Sequence, residues 1–124
     1  MRYALTYLEM LTTSYESYDD CRKALLFHRF YISIEESLEK YIDSKTLRSD
    51  NVKSYHKNVV EAAKQYFELS ENIVLVFDEL RRFRHLFVRN HTISSFDNYK
   101  LDCIFYLIMR NLQELKHVLE EISQ

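Results

Sequence analysis

Residues Asp19 to Ile42 read DDCRKALLFHRFYISIEESLEKYI, and this stretch decides the fold. Ala24, Phe27, Tyr31, Ile34, Leu38 and Tyr41 or Ile42 recur at steps of three and four, which lines them along one face of a long α-helix. Asp19 and Asp20 stand at its start, where a carboxylate caps free backbone amides and meets the positive end of the helix dipole. The same spacing continues in both directions. Upstream, Leu5, Leu8 and Leu11 give a helix over about Arg2 to Tyr18. Downstream, Val59, Ala62, Ala63 and Tyr66 give one over about Val52 to Phe67. Ser70 then caps a fourth helix with Ile73, Val74, Phe77, Leu80 and Phe83 or Phe87 inward. Leu101, Ile104, Ile108, Leu112, Leu115, Leu119 and Ile122 form a final amphipathic series, capped by Asp97. Two polar stretches interrupt the pattern, DSKTLRSDN at Asp43 to Asn51 and TISSFD at Thr92 to Asp97. The expected fold is all-α, an antiparallel bundle of four to five helices forming one domain over residues 1–124.

Composition supports this expectation and removes several function classes. The 124 residues include no glycine and no proline. Hairpins and bulges depend on those residues, whereas helix interiors exclude them. Phosphate-binding loops of the P-loop and dinucleotide-fold types need glycine so that backbone amides can reach the ligand, and those routes are closed. The formal charge of −2 rules out polyanion binding by bulk electrostatics, so any nucleic-acid contact must come from local asymmetry. Cys21 and Cys103 form no CxxC pair and are expected to be reduced. Glu9 interrupts the first apolar stretch, against a signal-peptide core, and the apolar run Ile104 to Met109 is too short to span a bilayer. A cytoplasmic protein without a membrane segment is expected.

One segment has chemical character. Arg81 to His91 reads RRFRHLFVRNH and holds four of the nine arginines and two of the five histidines, with no acid among them. On a continuous helix, Arg84 and His91 lie two turns apart and about 20° out of line, with Arg81 within about 80° of both. His85 and Arg89 share a neighbouring face. Arginine offers a fork of donors matched to phosphate oxygens, and histidine exchanges protons near neutral pH. Those are the parts needed to cleave RNA without a metal, one moving a proton and the other stabilising charge at phosphorus. The structural alternative is that Arg82 pairs with Asp78 along its own helix and the remaining cations meet the helix C-terminus.

The order FYISIE at Phe30 to Glu35, Tyr55-His56, DELRRFRHLF at Asp78 to Phe87 and Phe96-Asp97 resembles the HepT-like branch of the HEPN superfamily. The resemblance covers Ala24 to the C-terminus, and its most specific part is DELRRFRHLF. Arg84 and His91, with six residues between them, match the R-x(4–6)-H signature of that superfamily. It implies a metal-independent ribonuclease toxin of a toxin–antitoxin or defence system, acting on RNA as a homodimer with a composite site. Arg84 and His91 would be catalytic, with Arg81, His85, Arg89 and Asn90 supporting RNA. No metal or cofactor is implied, and a nucleotidyltransferase-type antitoxin is the implied inhibitor. The chain departs from the pattern in two places. Val88 to His91 (VRNH) expands the spacing, leaving Asn90 or His91 as the aligned position, and Ile93 replaces the tyrosine that follows the histidine.

Weaker signals point elsewhere. Glu114 and His117 form a single ExxH, whereas di-iron bundles need two copies with further glutamates. Cys21 and His28 lack a second pair to complete a zinc site. His28 is expected to pack or hydrogen-bond within the bundle, His56 and His117 to lie on the surface, and Glu35 to orient an arginine of the basic segment. Most of the ten tyrosines and eight phenylalanines fall at core spacing, with Tyr55 and Phe87 the candidates for a cleft. Two other functions fit the same chain. One is a degenerate, non-catalytic helical module that binds a protein through Phe87 and Val88. The other is RNA binding without cleavage.

Overall fold

The computed structural model describes residues 3–42, 52–89 and 98–123. They form six α-helices: α1 (Tyr3–Ser14), α2 (Asp20–Glu39), α3 (Val52–Tyr66), α4 (Glu71–Arg89), α5 (Asn98–Arg110) and α6 (Leu112–Ile122). A 3₁₀ turn, Tyr15–Ser17, links α1 to α2, and no strand occurs among the described residues. The bundle is all-α as the spacing requires. No described helix is long and apolar enough to cross a membrane. Both polar stretches expected as loops, at 43–51 and 92–97, lie outside the described residues.

Local chemistry sets the helix ends. The Asp19 carboxylate accepts the Arg22 amide at 2.8 Å, satisfying one of the four free donors that begin α2. Ser70 Oγ accepts the Ile73 amide at 3.3 Å and donates to Glu114 at 2.9 Å, which ties the start of α4 to α6. The series Leu101 to Ile122 does not run as a single helix. At Asn111 the backbone amide turns back to Ile108 O, and the side-chain amide donates to Leu107 O at 2.9 Å. The side chain thus occupies the carbonyl that an unbroken ladder would have used.

Central to the packing is α2, which touches each of the other five helices. Surrounded in this way, it buries more than a stripe. Ala24, Leu26, Phe27, Phe30, Tyr31, Ile34 and Leu38 are in the core, and so are Ser33, Glu35 and Ser37. Ser33 and Ser37 discharge their hydroxyls onto the carbonyls of Phe30 and Ser33, at 2.7 and 2.9 Å, so helices approach them closely without an orphaned donor. Phe27 meets Phe83 of α4 edge to face at 5.8 Å. Beside α1, the Tyr15 ring stacks on Phe105 at 4.0 Å and its hydroxyl donates to Asp102 at 2.9 Å, joining the end of α1 to α5.

The absence of glycine has one visible cost. After α3 the chain closes with the Leu69 amide on Lys64 O, a six-to-one capping bond that puts the intervening residue in the left-handed region. That residue is Glu68, at φ 53°. A side chain there costs about 1–2 kcal/mol, of which glycine's extra unfolded-state entropy returns roughly 0.5–1. Glu68→Gly should therefore stabilise the protein by about 0.5–1 kcal/mol, read as a rise of a few degrees in Tm. Glu68→Ala should give no such gain.

Candidate functional site

The inward stripe of α4 runs Ile73, Val76, Phe77, Leu80 and Phe83, all buried. Its next positions are Arg84 and Phe87, so an apolar face becomes cationic at the point where it reaches the middle of α2. Opposite stand His28, Tyr31 and Glu35 of α2, with His56 arriving from α3. Three of the four segments that carry the family resemblance are distant in sequence and meet here, while the fourth, Phe96-Asp97, lies outside the described residues.

A buried carboxylate organises this region. Glu35 Oε2 accepts the Tyr31 hydroxyl at 2.8 Å, and His56 Nδ1 lies 2.6 Å from the same oxygen. One α2 side chain thereby binds its own helix to α3. Tyr31 is almost wholly buried, and its hydroxyl is pushed far above the usual phenol range. Burial is the main cause, Glu35 adds to it, and the charges of Arg81 and Arg84 oppose it. Both guanidinium groups therefore lie close enough to α2 to act on that hydroxyl. His56 Nε2 is buried without a hydrogen-bond partner among the described residues. Beside it, Tyr55 donates to Glu39 at 2.7 Å, and burial together with that bond pushes its hydroxyl up to about 12.

The arginines divide into paired and unpaired. Arg81 Nε donates to Asp78 at 3.3 Å and Arg82 Nη1 to Glu79 at 2.8 Å, each one turn back along α4. The expected pairing of Arg82 with Asp78 is not formed, because the nearer acid at three residues' distance serves each arginine. Arg84 has no carboxylate partner among the described residues, and its Nε is buried with no acceptor. His28 faces it across the helix interface. The His28 ring stacks on Phe87 at 4.5 Å, one helical turn beyond Arg84, and its Nδ1 is also buried without a partner. Burial, then the charges of Arg84 and Arg29, hold His28 below the 6.5 of a free imidazole. A groove of about 510 Å³ opens from His28 and Phe87 between α1 and α2, lined also by Tyr3, Tyr7 and Arg29.

The expected site residues are only partly brought together. Arg81 and Arg84 come together on the α2 side of α4, and His85 is half-buried on the same helix. Arg89 ends α4. The side chain of Arg89, together with Asn90 and His91, lies outside the described residues. Two expectations are corrected. Glu35 holds Tyr31 and His56, with no arginine bond, because those two groups reach its carboxylate first from α2 and α3. His56 is largely buried rather than on the surface, with 12% of its side chain exposed. His28 packs as expected, and it does so beside Arg84, a guanidinium without a carboxylate partner among the described residues, a juxtaposition that spacing along the chain does not show. The signal was there: His28 and Glu35 are polar residues seven apart on a face otherwise built from Ala24, Phe27, Tyr31 and Leu38.

Among the described residues no group of three or more His, Cys, Asp or Glu side chains is placed to hold a metal ion. Glu114 serves Ser70, and His117 sits 3.9 Å from Glu121. Both cysteines are free and exposed. The chain matches no protein-family model, no curated protein and no solved structure.

Two outcomes follow from this geometry. Glu35→Ala leaves the Tyr31 hydroxyl and the His56 Nδ1 buried without partners, and should cost about 3 kcal/mol in urea denaturation, with Tyr31→Phe costing about 1. His28 should titrate below 6.5 in an NMR experiment, and Arg84→Ala should raise its midpoint. Because the folded-state value is depressed, the stability contributed by neutral His28 is complete above pH 6.5 and is lost as pH falls through the folded midpoint.

Proposed function

We propose that this chain is a metal-independent ribonuclease of the HepT-like HEPN type, a toxin acting on RNA as a homodimer. The observation that carries the proposal is Arg84. In a segment with four arginines, it is a guanidinium left without an acid among the described residues, partly buried at the end of a core stripe and beside an imidazole. An unpaired cation in that position is costly to keep unless an anion occupies it during function, and a phosphodiester fits the guanidinium fork. Arg84 would neutralise charge developing on the phosphorus centre, His91 would exchange a proton, and Arg81, His85, Arg89 and Asn90 would support the strand. The Tyr31–Glu35–His56 network supports this reading as scaffold, since it fixes the helix faces between which Arg84 sits. A nucleotidyltransferase-type antitoxin, a toxin–antitoxin or defence role and a cytoplasmic location belong to the same proposal.

A second reading has its own support. Arg81 and Arg82 are occupied by Asp78 and Glu79, and Val88, next to Phe87, is 52% exposed. That arrangement suits a degenerate module that binds a protein or RNA through the end of α4 without cleaving it.

Incubation of purified protein with RNA in the presence of a chelator separates the two. Cleavage by the wild type, falling by about 100-fold or more in Arg84→Ala and in His91→Ala, is the expected result. Equal cleavage by all three would remove the proposed site. Intact RNA throughout, with salt-sensitive binding, would favour the module.

A further inference from the structure

The proposed reaction needs a proton acceptor near Arg84, and the described residues offer one that the R…H signature does not include. His28 lies on α2, in a different element from the basic segment, yet its ring rests on Phe87 one turn from Arg84. Its Nδ1 is buried and unpartnered, as is Arg84 Nε. Two buried polar atoms without partners, on residues that face each other across one helix interface, are uncommon in a settled core. His28 also lines the groove between α1 and α2, whose volume of about 510 Å³ is in the range of small-ligand clefts, and Arg84 lies behind it on α4, close enough for its charge to act on the ring. Arg29 lines that groove beside His28, and Tyr3 and Tyr7 supply aromatic faces on its other wall, Tyr3 being 52% exposed.

We propose that His28 is a catalytic residue of the same site: its ring takes the 2′-hydroxyl proton of a ribonucleotide whose phosphate is held by Arg84 and Arg29 and whose base stacks on Tyr3 or Tyr7. With Nδ1 buried, Nε2 is the accepting atom. The O2′–H bond breaks and the proton passes to Nε2. O2′ then bonds to phosphorus, the P–O5′ bond breaks, and the departing oxygen takes a proton from water. The imidazolium returns its proton to the hydroxide so formed. The products are a 2′,3′-cyclic phosphate and a 5′-hydroxyl end, and no oxidant, metal or further reactant is required.

The electrostatics suit that role. The charged and titratable groups around His28 are Arg84 from α4, Arg29 on α2, Tyr3 and Tyr7 from α1, and Glu36 two turns along the groove. Burial first, and then the charges of Arg84 and Arg29, favour the neutral imidazole, whose lone pair can accept a proton. A bound phosphodiester offsets those cations, and the imidazole becomes a stronger base once substrate is present.

This inference rests on the ribonuclease reading, and the experiment keeps the two apart. The substrate is a DNA oligonucleotide with a single ribonucleotide, and the fully deoxy oligonucleotide is the control. Wild type, His28→Ala, His28→Gln and Arg84→Ala are compared in chelator with Tm measured for each, His28→Gln preserving side-chain bulk in case the smaller residue unfolds. Expected are cleavage of the ribo substrate alone, a loss of about 100-fold or more in both His28 variants, and partial return of His28→Ala activity on adding imidazole. His28 variants that cut at the wild-type rate while Arg84→Ala is inactive would overturn the role of His28 and leave the ribonuclease intact. A slow His28→Ala with native Tm that imidazole does not restore would assign His28 to packing alone and likewise overturn it. A wild type that leaves the ribo substrate whole would end both proposals.

Discussion

The burial of α2 over most of its circumference, with the stripe Arg22, Leu25, Arg29, Glu36 and Glu39 left exposed, is the constraint from which the remaining features follow. A helix that touches five others buries most of its faces, so every polar group on those faces must be satisfied from within. Ser33 and Ser37 manage this alone, by bonding to their own helix. Glu35 cannot, and its carboxylate recruits Tyr31 one turn back and His56 from α3. The result is a polar node inside an apolar core, and it sets the position of α3 against α2 more narrowly than hydrophobic contact would.

The same burial explains why Arg84 differs from its neighbours. Arg81 and Arg82 have Asp78 and Glu79 one turn back, whereas the residues one turn before Arg84 are Leu80 and Arg81. Its side chain follows the core stripe towards α2, where His28, another proton-accepting or donating group, is held neutral by burial and by the guanidinium itself. A phosphate would relieve both groups at once. The unpartnered groups meet at the interface between α2 and α4, and the basic segment of α4 supplies one side of it.

Much of the architecture was legible in the chain. Asp19 and Ser70 cap the helices they were expected to cap, and the stripe from Ala24 to Leu38 is buried as its spacing required, because capping and amphipathic periodicity are local properties. Asn111 shows where local reasoning stops. Apolar spacing continues across it undisturbed, yet its side-chain amide replaces a backbone bond and divides the helix. Glu68 is similar: the lack of glycine was plain, but which residue would take the left-handed position depended on where α3 closed.

The sequence by itself determined an all-helical chain, the starts of α2 and α4, the buried face of α2 and a concentration of cations between Arg81 and Arg89, since each depends on residues within a few turns of one another. Tertiary structure decided which charges remained unpaired and which histidine stood beside them. Glu35 could have met an arginine and His56 could have faced water. Their actual partners were settled by the angle at which α3 and α4 cross α2, a long-range packing outcome that spacing along one helix does not encode.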